Sequence, residues 1–300
     1  MNITKIRRGK RSRAGLIAAA AATAAASAAL LVPLSHAASA QTASPVKLTA
    51  PAAPVAHHTV KPTIVLVHGA WASTSAWDGV IARLRALGYT VYAPSNTLMG
   101  LPYDANYLRD FLNTISGPIV LVGHSYGGVV VTNAATGDKQ VKALVYDDAF
   151  IPAKGETAGQ LVSAKPGSCV VVKDPTTIFK LVPYPGAPAG AADAYLKQSV
   201  FPGCVANGLP AGEQQELAVT QLPLTTAALA EKSGTPAWKT IPSWAIIGTA
   251  DHTIPPAELL FMAKRAHAHI TVIPGAPHVS MISNPGQVTA VILRAVHATS

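Results

Sequence analysis

Gly123-His124-Ser125-Tyr126-Gly127-Gly128 sets a serine between glycines in the pattern Gly-x-Ser-x-Gly. A serine at the sharp reversal from a strand into a helix needs this pattern if its hydroxyl is to act as a nucleophile. Glycine at 123 and 127 keeps Cβ atoms out of the tight turn. The helix that follows aims N–H groups and a positive dipole end at an oxyanion forming on an attacked carbonyl, so the chemistry would be acyl transfer. Alone the pentapeptide is weak evidence, because Gly and Ser each near 7% of residues yield about 0.1 chance matches in a chain this long. Its context strengthens it: the apolar run 118–122 precedes it and a helical pattern through 129–135 follows. A phosphate-binding turn would need a lysine and a different glycine spacing.

A serine hydroxyl needs a base, and the base needs an acid to orient it. In this strand–turn–helix arrangement the partners follow in the order serine, acid, histidine. Asp251 lies in Gly248-Thr249-Ala250-Asp251-His252, just past an apolar run, and His278 lies in Pro274-Gly275-Ala276-Pro277-His278, past another. Both positions are just beyond the C-terminal ends of expected strands, where open α/β sheets gather their sites. The candidate catalytic set is therefore Ser125, Asp251 and His278. Asp148, at the end of the 141–146 run, is the alternative acid; the plainer role for either member of Asp147-Asp148 is to hold loop backbone. His252 adjoins the acid and should point elsewhere, His267 and His269 read as surface or core, and His124 should pack beneath the turn. His68-Gly69-Ala70-Trp71 follows the first strand, and a His-Gly loop there supplies the second oxyanion donor. The main-chain N–H groups of Ala70 and Tyr126 are the expected oxyanion hole, with His68 a structural hydrogen-bonder.

These residues have to be positioned by alternating elements. Short apolar runs suited to strands buried on both faces occur at 63–67, 89–92, 118–122, 141–146, 243–247 and 270–273. Helical spacing occurs at 76–87, at 104–115 (Tyr107, Leu108, Phe111, Leu112 and Ile115 on one face), from 126 to 135, and at 257–266 and 285–297. Alternation of this kind implies an α/β fold, a mostly parallel sheet flanked by helices. Residues 152–240, rich in Pro, Gly and Ala, break the rhythm and read as an insertion after the fourth strand.

The chain has 300 residues and a formal net charge of +9. Six of its 23 basic residues fall in the first forty, with no acidic one among them; 17 basic residues then face 14 acidic ones, so no basic stripe is left for nucleic acid. Those forty residues, with Arg7-Arg8-Gly9-Lys10-Arg11-Ser12-Arg13, an Ala-rich stretch and small-x-small sites at 35–37 and 38–40, read as a secretory signal peptide. The paired arginines leave both the general and the twin-arginine export routes open. Residues 41–61 read as an irregular leader, His57-His58 included, and 62–300 as the domain. No later stretch is long and apolar enough to span a bilayer, so the expected location is extracellular. In an exported chain Cys169 and Cys204 form a candidate disulfide. Both lie far from the motifs in sequence, so a structural bridge is expected, contributing roughly 4 kcal/mol in the chain-entropy account.

Val67-His68-Gly69-Ala70-Trp71, Gly123-His124-Ser125-Tyr126-Gly127-Gly128, Asp148-Ala149-Phe150-Ile151-Pro152, Asp251 and His278 together resemble the α/β-hydrolase superfamily, over essentially all of 62–298. The sequence is most similar to the small esterases related to plant methyl esterases and hydroxynitrile lyases. The resemblance implies the α/β-hydrolase fold, a serine hydrolase acting on a small-molecule ester with no metal and no organic cofactor, and a cap formed by 152–240. Leu98 and Met99 would be pocket residues or ordinary packing. The lyases of this group carry Thr after the first-strand His and Lys after the catalytic His; Gly69 and Val279 stand there, and Val cannot hold cyanide charge. Ester hydrolysis is therefore favoured. A cofactor-free haloperoxidase or perhydrolase, and a ligand-binding protein on a hydrolase scaffold, are the alternatives. Substrate identity and oligomeric state are not readable.

Overall fold

Residues 60–299 are described in the computed structural model. The expected signal peptide, His57-His58 and all but the last two leader residues lie outside the described residues.

The first apolar run forms β1 (Thr63–Val67), followed by α1 (Asp78–Ala86) and a two-residue β2 (Val91–Tyr92). Next come α2 (Leu101–Asn113), β3 (Ile119–His124), α3 (Tyr126–Ala134) and β4 (Val141–Asp147). Helix α2 begins three residues earlier than the apolar spacing suggests. Pro102 fits its first turn, where no N–H is needed, and the Asp104 carboxylate accepts the N–H groups of Met99 and Gly100 just before it. Of its expected apolar face, Leu108, Leu112 and Ile115 are buried, whereas Tyr107 is exposed.

Between β4 and the next strand of the main sheet the chain forms α4 (Ala158–Ser163), β5 (Phe179–Val182), β6 (Asp193–Leu196), α5 (Phe201–Cys204), α6 (Ala211–Thr220) and β7 (Leu224–Thr225). Strands β5, β6 and β7 pair antiparallel as a separate small sheet. The chain then returns through β8 (Ser243–Gly248), α7 (Pro256–Arg265), β9 (His269–Ile273), α8 (Ser280–Ser283) and α9 (Pro285–Thr299).

The main sheet has the order β2-β1-β3-β4-β8-β9, and every pairing in it is parallel. The interior strands β3 and β8 are buried at every position. Burial on both faces is why they read as continuous Val, Ile and Leu runs rather than alternations. Parallel pairing also sets all strand ends to one side. Val67 lies opposite Gly123, His124 opposite Asp147, and Gly248 opposite Ile273. The turns after β1, β3, β4, β8 and β9 therefore converge on one edge.

Cys169 and Cys204 are disulfide-bonded, with Cα atoms 5.6 Å apart. Among the described residues no helix is long and apolar enough to cross a membrane.

Candidate active site

Ser125 sits at the turn from β3 into α3 with φ +53° and ψ −123°. A non-glycine residue there is strained, and the surrounding packing has to hold it. The packing leaves no room for an alternative: a Cβ on Gly127 would lie 2.6 Å from the Val67 carbonyl oxygen. The Ser125 carbonyl accepts the N–H of Gly128 at 2.9 Å and of Phe150 at 3.2 Å, which locks the turn from two sides.

His278 follows β9 and Asp251 follows β8. The structure brings both to Ser125. His278 Nε2 lies 2.9 Å from Ser125 Oγ, and His278 Nδ1 lies 2.7 Å from Asp251 Oδ2. Asp251 Oδ1 accepts the N–H groups of Thr253 (2.7 Å) and Ile254 (2.9 Å), so the second carboxylate oxygen is left turned toward the imidazole. All three side chains are buried.

Asp148, the alternative acid, does something else. Its Oδ1 accepts the N–H of Gly248 at 2.5 Å, and its own backbone has φ +44°. Burial, with Asp251 and Asp147 nearby, pushes its carboxyl well above the usual range. It is thus the backbone-holding residue of the plainer reading. Asp147 accepts the Ser280 hydroxyl at 2.6 Å, and burial pushes it up to about 7.

The remaining histidines separate by burial. His124 is fully buried, which drives its imidazole well below the ordinary value. Neutral, it donates from Nε2 to the His278 carbonyl at 3.0 Å, which fixes the backbone of that residue from below. Sequence reading placed His124 beneath the turn but carried no sign of this bond to a residue 154 positions away. His68 is also buried, which lowers its pKa. Its Nδ1–H donates to the Gly69 carbonyl, while Nε2 accepts the Asn96 N–H at 3.0 Å. His252, His267 and His269 are exposed.

Ala70, in the loop after β1, and Tyr126, the first residue of α3, line the same cavity as Ser125. The Tyr126 hydroxyl donates to Asp104 Oδ2 at 2.9 Å. Gly69 is required for the approach of the loop after β1 to Ser125, since a Cβ there would lie 2.5 Å from Ser125 Cβ. Thr, the residue of the lyases at this position, would collide with the serine. Next in the loop, Trp71 has φ +57°, donates from Nε1 to the Ala194 carbonyl of β6 at 2.9 Å, and stacks on Phe179 of β5.

A cavity of about 70 Å³ adjoins Ser125. Trp71, Phe150, Val162, Val170, Phe179 and Leu224 are among its walls, and no charged side chain is. Most of these come from the inserted segment. Leu98 is buried packing and Met99 is exposed; neither lines the cavity. A wider groove of about 620 Å³, along Lys180 and Lys197, contains none of the candidate residues.

Residues 64–291 match the model of the alpha/beta hydrolase family. The carbendazim hydrolyzing esterase of Nocardioides sp. is 36% identical over 108 residues, which is 31% of this chain and 44% of that one. The alpha/beta hydrolase nvfD of Aspergillus novofumigatus is 26% identical over 257 residues, covering 79% and 97% of the two chains. The aligned stretch spans about half or less of the first curated relatives. The crystal structure of polyneuridine aldehyde esterase superposes with a TM-score of 0.66 at 18% identity, covering 78% of this chain and 99% of that one.

Proposed function

The chain belongs to the alpha/beta hydrolase family, and on that premise we propose that it is an exported serine esterase acting on small neutral carboxylic esters. The observation that carries the reading is the unbroken hydrogen-bond chain from Ser125 Oγ through His278 to Asp251, in a buried site at the ends of three parallel strands. A relative named as an esterase supports the same class.

His278 Nε2 takes the proton as Ser125 Oγ attacks the ester carbonyl. The developing oxyanion is held by the amides of Ala70 and Tyr126. His278 then gives the proton to the leaving alkoxide, which departs as the alcohol and leaves an acyl group on Ser125. Water attacks that acyl group with His278 again as base, and acid and free serine result. Asp251 keeps the proton of the imidazole on Nδ1 and stabilises the imidazolium. The cavity of about 70 Å³ is small and its walls are mainly apolar, so the group it takes without rearrangement is compact and apolar. The absence of charged side chains among its walls disfavours an ionised acyl group, whose desolvation would go uncompensated.

A fluorophosphonate should form one adduct, on Ser125, detectable by peptide mass spectrometry. Ser125→Ala should lose both the adduct and ester turnover while its circular dichroism is unchanged. Retained turnover in that variant, or no adduct on the folded wild type, would overturn the reading. Export is tested by N-terminal sequencing of protein from the medium, where a start at 38 or 41 is expected.

A further inference from the structure

The loop that carries Asp251 is gripped from outside by the two halves of the disulfide. The Cys169 N–H donates to the His252 carbonyl at 2.8 Å, and the neighbouring Ser168 hydroxyl donates to the Thr253 carbonyl at 2.7 Å. From the other half, the Cys204 carbonyl accepts the Thr253 hydroxyl at 3.0 Å, and the Gly203 carbonyl accepts the His252 Nδ1–H at 2.9 Å. Asn207, just beyond, donates to the Ala250 carbonyl at 2.8 Å. Residues 168–171 are in neither helix nor strand, so this side of the grip has no secondary structure of its own to hold it in place. The covalent bond to Cys204, itself 1% exposed, does so. Thr253 transmits the result inward: its hydroxyl is bound to Cys204, and its N–H is bound to Asp251 Oδ1. The same strand of chain continues into Val170, a wall of the cavity.

We infer that the Cys169–Cys204 disulfide is a positioning device for Asp251, so that activity depends on its oxidised state. This rests on the reading of Asp251 as the acid of the proposed esterase. Reducing the bond takes two electrons and two protons from an added dithiol and leaves two thiols. It removes no group from the reacting atoms; it frees 168–170 to drift from the acid loop, and the carboxylate then loses its aim at His278 Nδ1.

The test is a double-mutant cycle on the full chain, read as the rate of Ser125 phosphonylation by a fluorophosphonate and as kcat for a small ester. Replacing both cysteines by serine should lower both rates about 10- to 100-fold while Asp251 is present, the size of effect a misplacement of about 1 Å produces. In an Asp251→Asn background the same replacement should cost less than about twofold, because an amide with nothing to contribute loses little by moving. Ser168→Ala, which keeps the disulfide, should show a smaller loss of about two- to fivefold, again confined to the Asp251 background. If the serine pair does not fold, the same two rates of the wild type and Asp251→Asn before and after reduction by a dithiol keep the test open: the loss on reduction should be confined to the wild type. Equal losses in both backgrounds would mean general structural damage and would overturn the inference, as would no loss at all. If the oxidised wild type neither labels nor turns over, the esterase reading falls and takes this one with it. If the wild type is active but Asp251→Asn matches it, the acid assignment falls. Activity that requires Asp251 but ignores the cysteines defeats the disulfide inference alone.

Discussion

The parallel sheet and the segment inserted into it hold their residues by different means. In the sheet, Ser125 follows directly on β3, and Asp251 and His278 lie a few residues past β8 and β9, strands whose register is fixed by parallel pairing. In the insertion, three short strands make an antiparallel sheet that is only partly buried. The insertion's contacts with the rest of the domain include Trp71 on Ala194, Leu222 and Phe179, the disulfide and its hydrogen bonds to the acid loop, and the paired bonds between Arg265 and Glu156. The reacting groups thus stand on the part that is hardest to deform, and the cavity walls stand mainly on the part that can vary. Substitution of the reacting groups should abolish chemistry. Substitution of the cavity walls should move preference.

The sharpest contrast lies within the sheet ends themselves. Asp251→Asn should lower kcat for a small ester by about 10⁴-fold, through the wrong imidazole tautomer. Asp148→Asn should leave kcat within about threefold, since its carboxyl holds the Gly248 N–H rather than His278. Steady-state kinetics on the two purified variants decide it, and a collapse of kcat at 148 alone would exchange their roles.

Gly127→Ala tests whether the serine turn is as rigid as its packing. The added Cβ meets the Val67 carbonyl oxygen at 2.6 Å, and relieving that overlap should cost about 2–3 kcal/mol in urea unfolding. No loss of stability would show that the turn yields.

Asp147 gives the sheet a pH signature. Burial raises its folded-state pKa to about 7, above that of the unfolded carboxyl. The folded chain therefore holds this proton more tightly. The stabilising contribution is complete below about pH 4 and is lost as pH rises through about 7, with a span on the order of 1–4 kcal/mol. Urea midpoints of the wild type and Asp147→Asn between pH 4 and pH 8 should diverge least in favour of the wild type at the alkaline end. A difference that grows with pH would reverse the assignment.

The smallest effect is expected in the insertion. Phe179→Ala removes the stacking partner of Trp71, whose ring lies 5.6 Å away, and should cost about 1 kcal/mol of stability. It should raise kcat/KM for bulkier acyl esters relative to acetyl by enlarging the cavity. An acyl-chain series measured on both proteins tests this; an unchanged profile would mean that the wall does not set preference.

Much of the main sheet could be read in advance. The run at 63–67 coincides with β1 residue for residue, and the other five runs fall within a few residues of their strands, because strands buried on both faces leave a continuous apolar signature. The helix at 101–113 starts earlier than its apolar spacing implies because the Asp104 side chain bonds backward to Met99 and Gly100, a signal that apolar spacing does not contain. The small sheet at 179–225 leaves no such signature in the sequence. Its strands are four, four and two residues long and lean on Trp71, so there is no period to find.

For the candidate site, residue type and order along the chain were enough to name Ser125, Asp251, His278, Ala70 and Tyr126, since each motif is local: a glycine pattern, or an acid and a histidine just past apolar runs. Which aspartate faces the imidazole, what His124 holds, and that the cystine touches the acid loop are contacts between segments 27 to more than 100 residues apart. Those were decided only by folding, because parallel crossovers bring distant turns to one edge, and nothing in the intervening sequence encodes the direction in which a carboxylate then points.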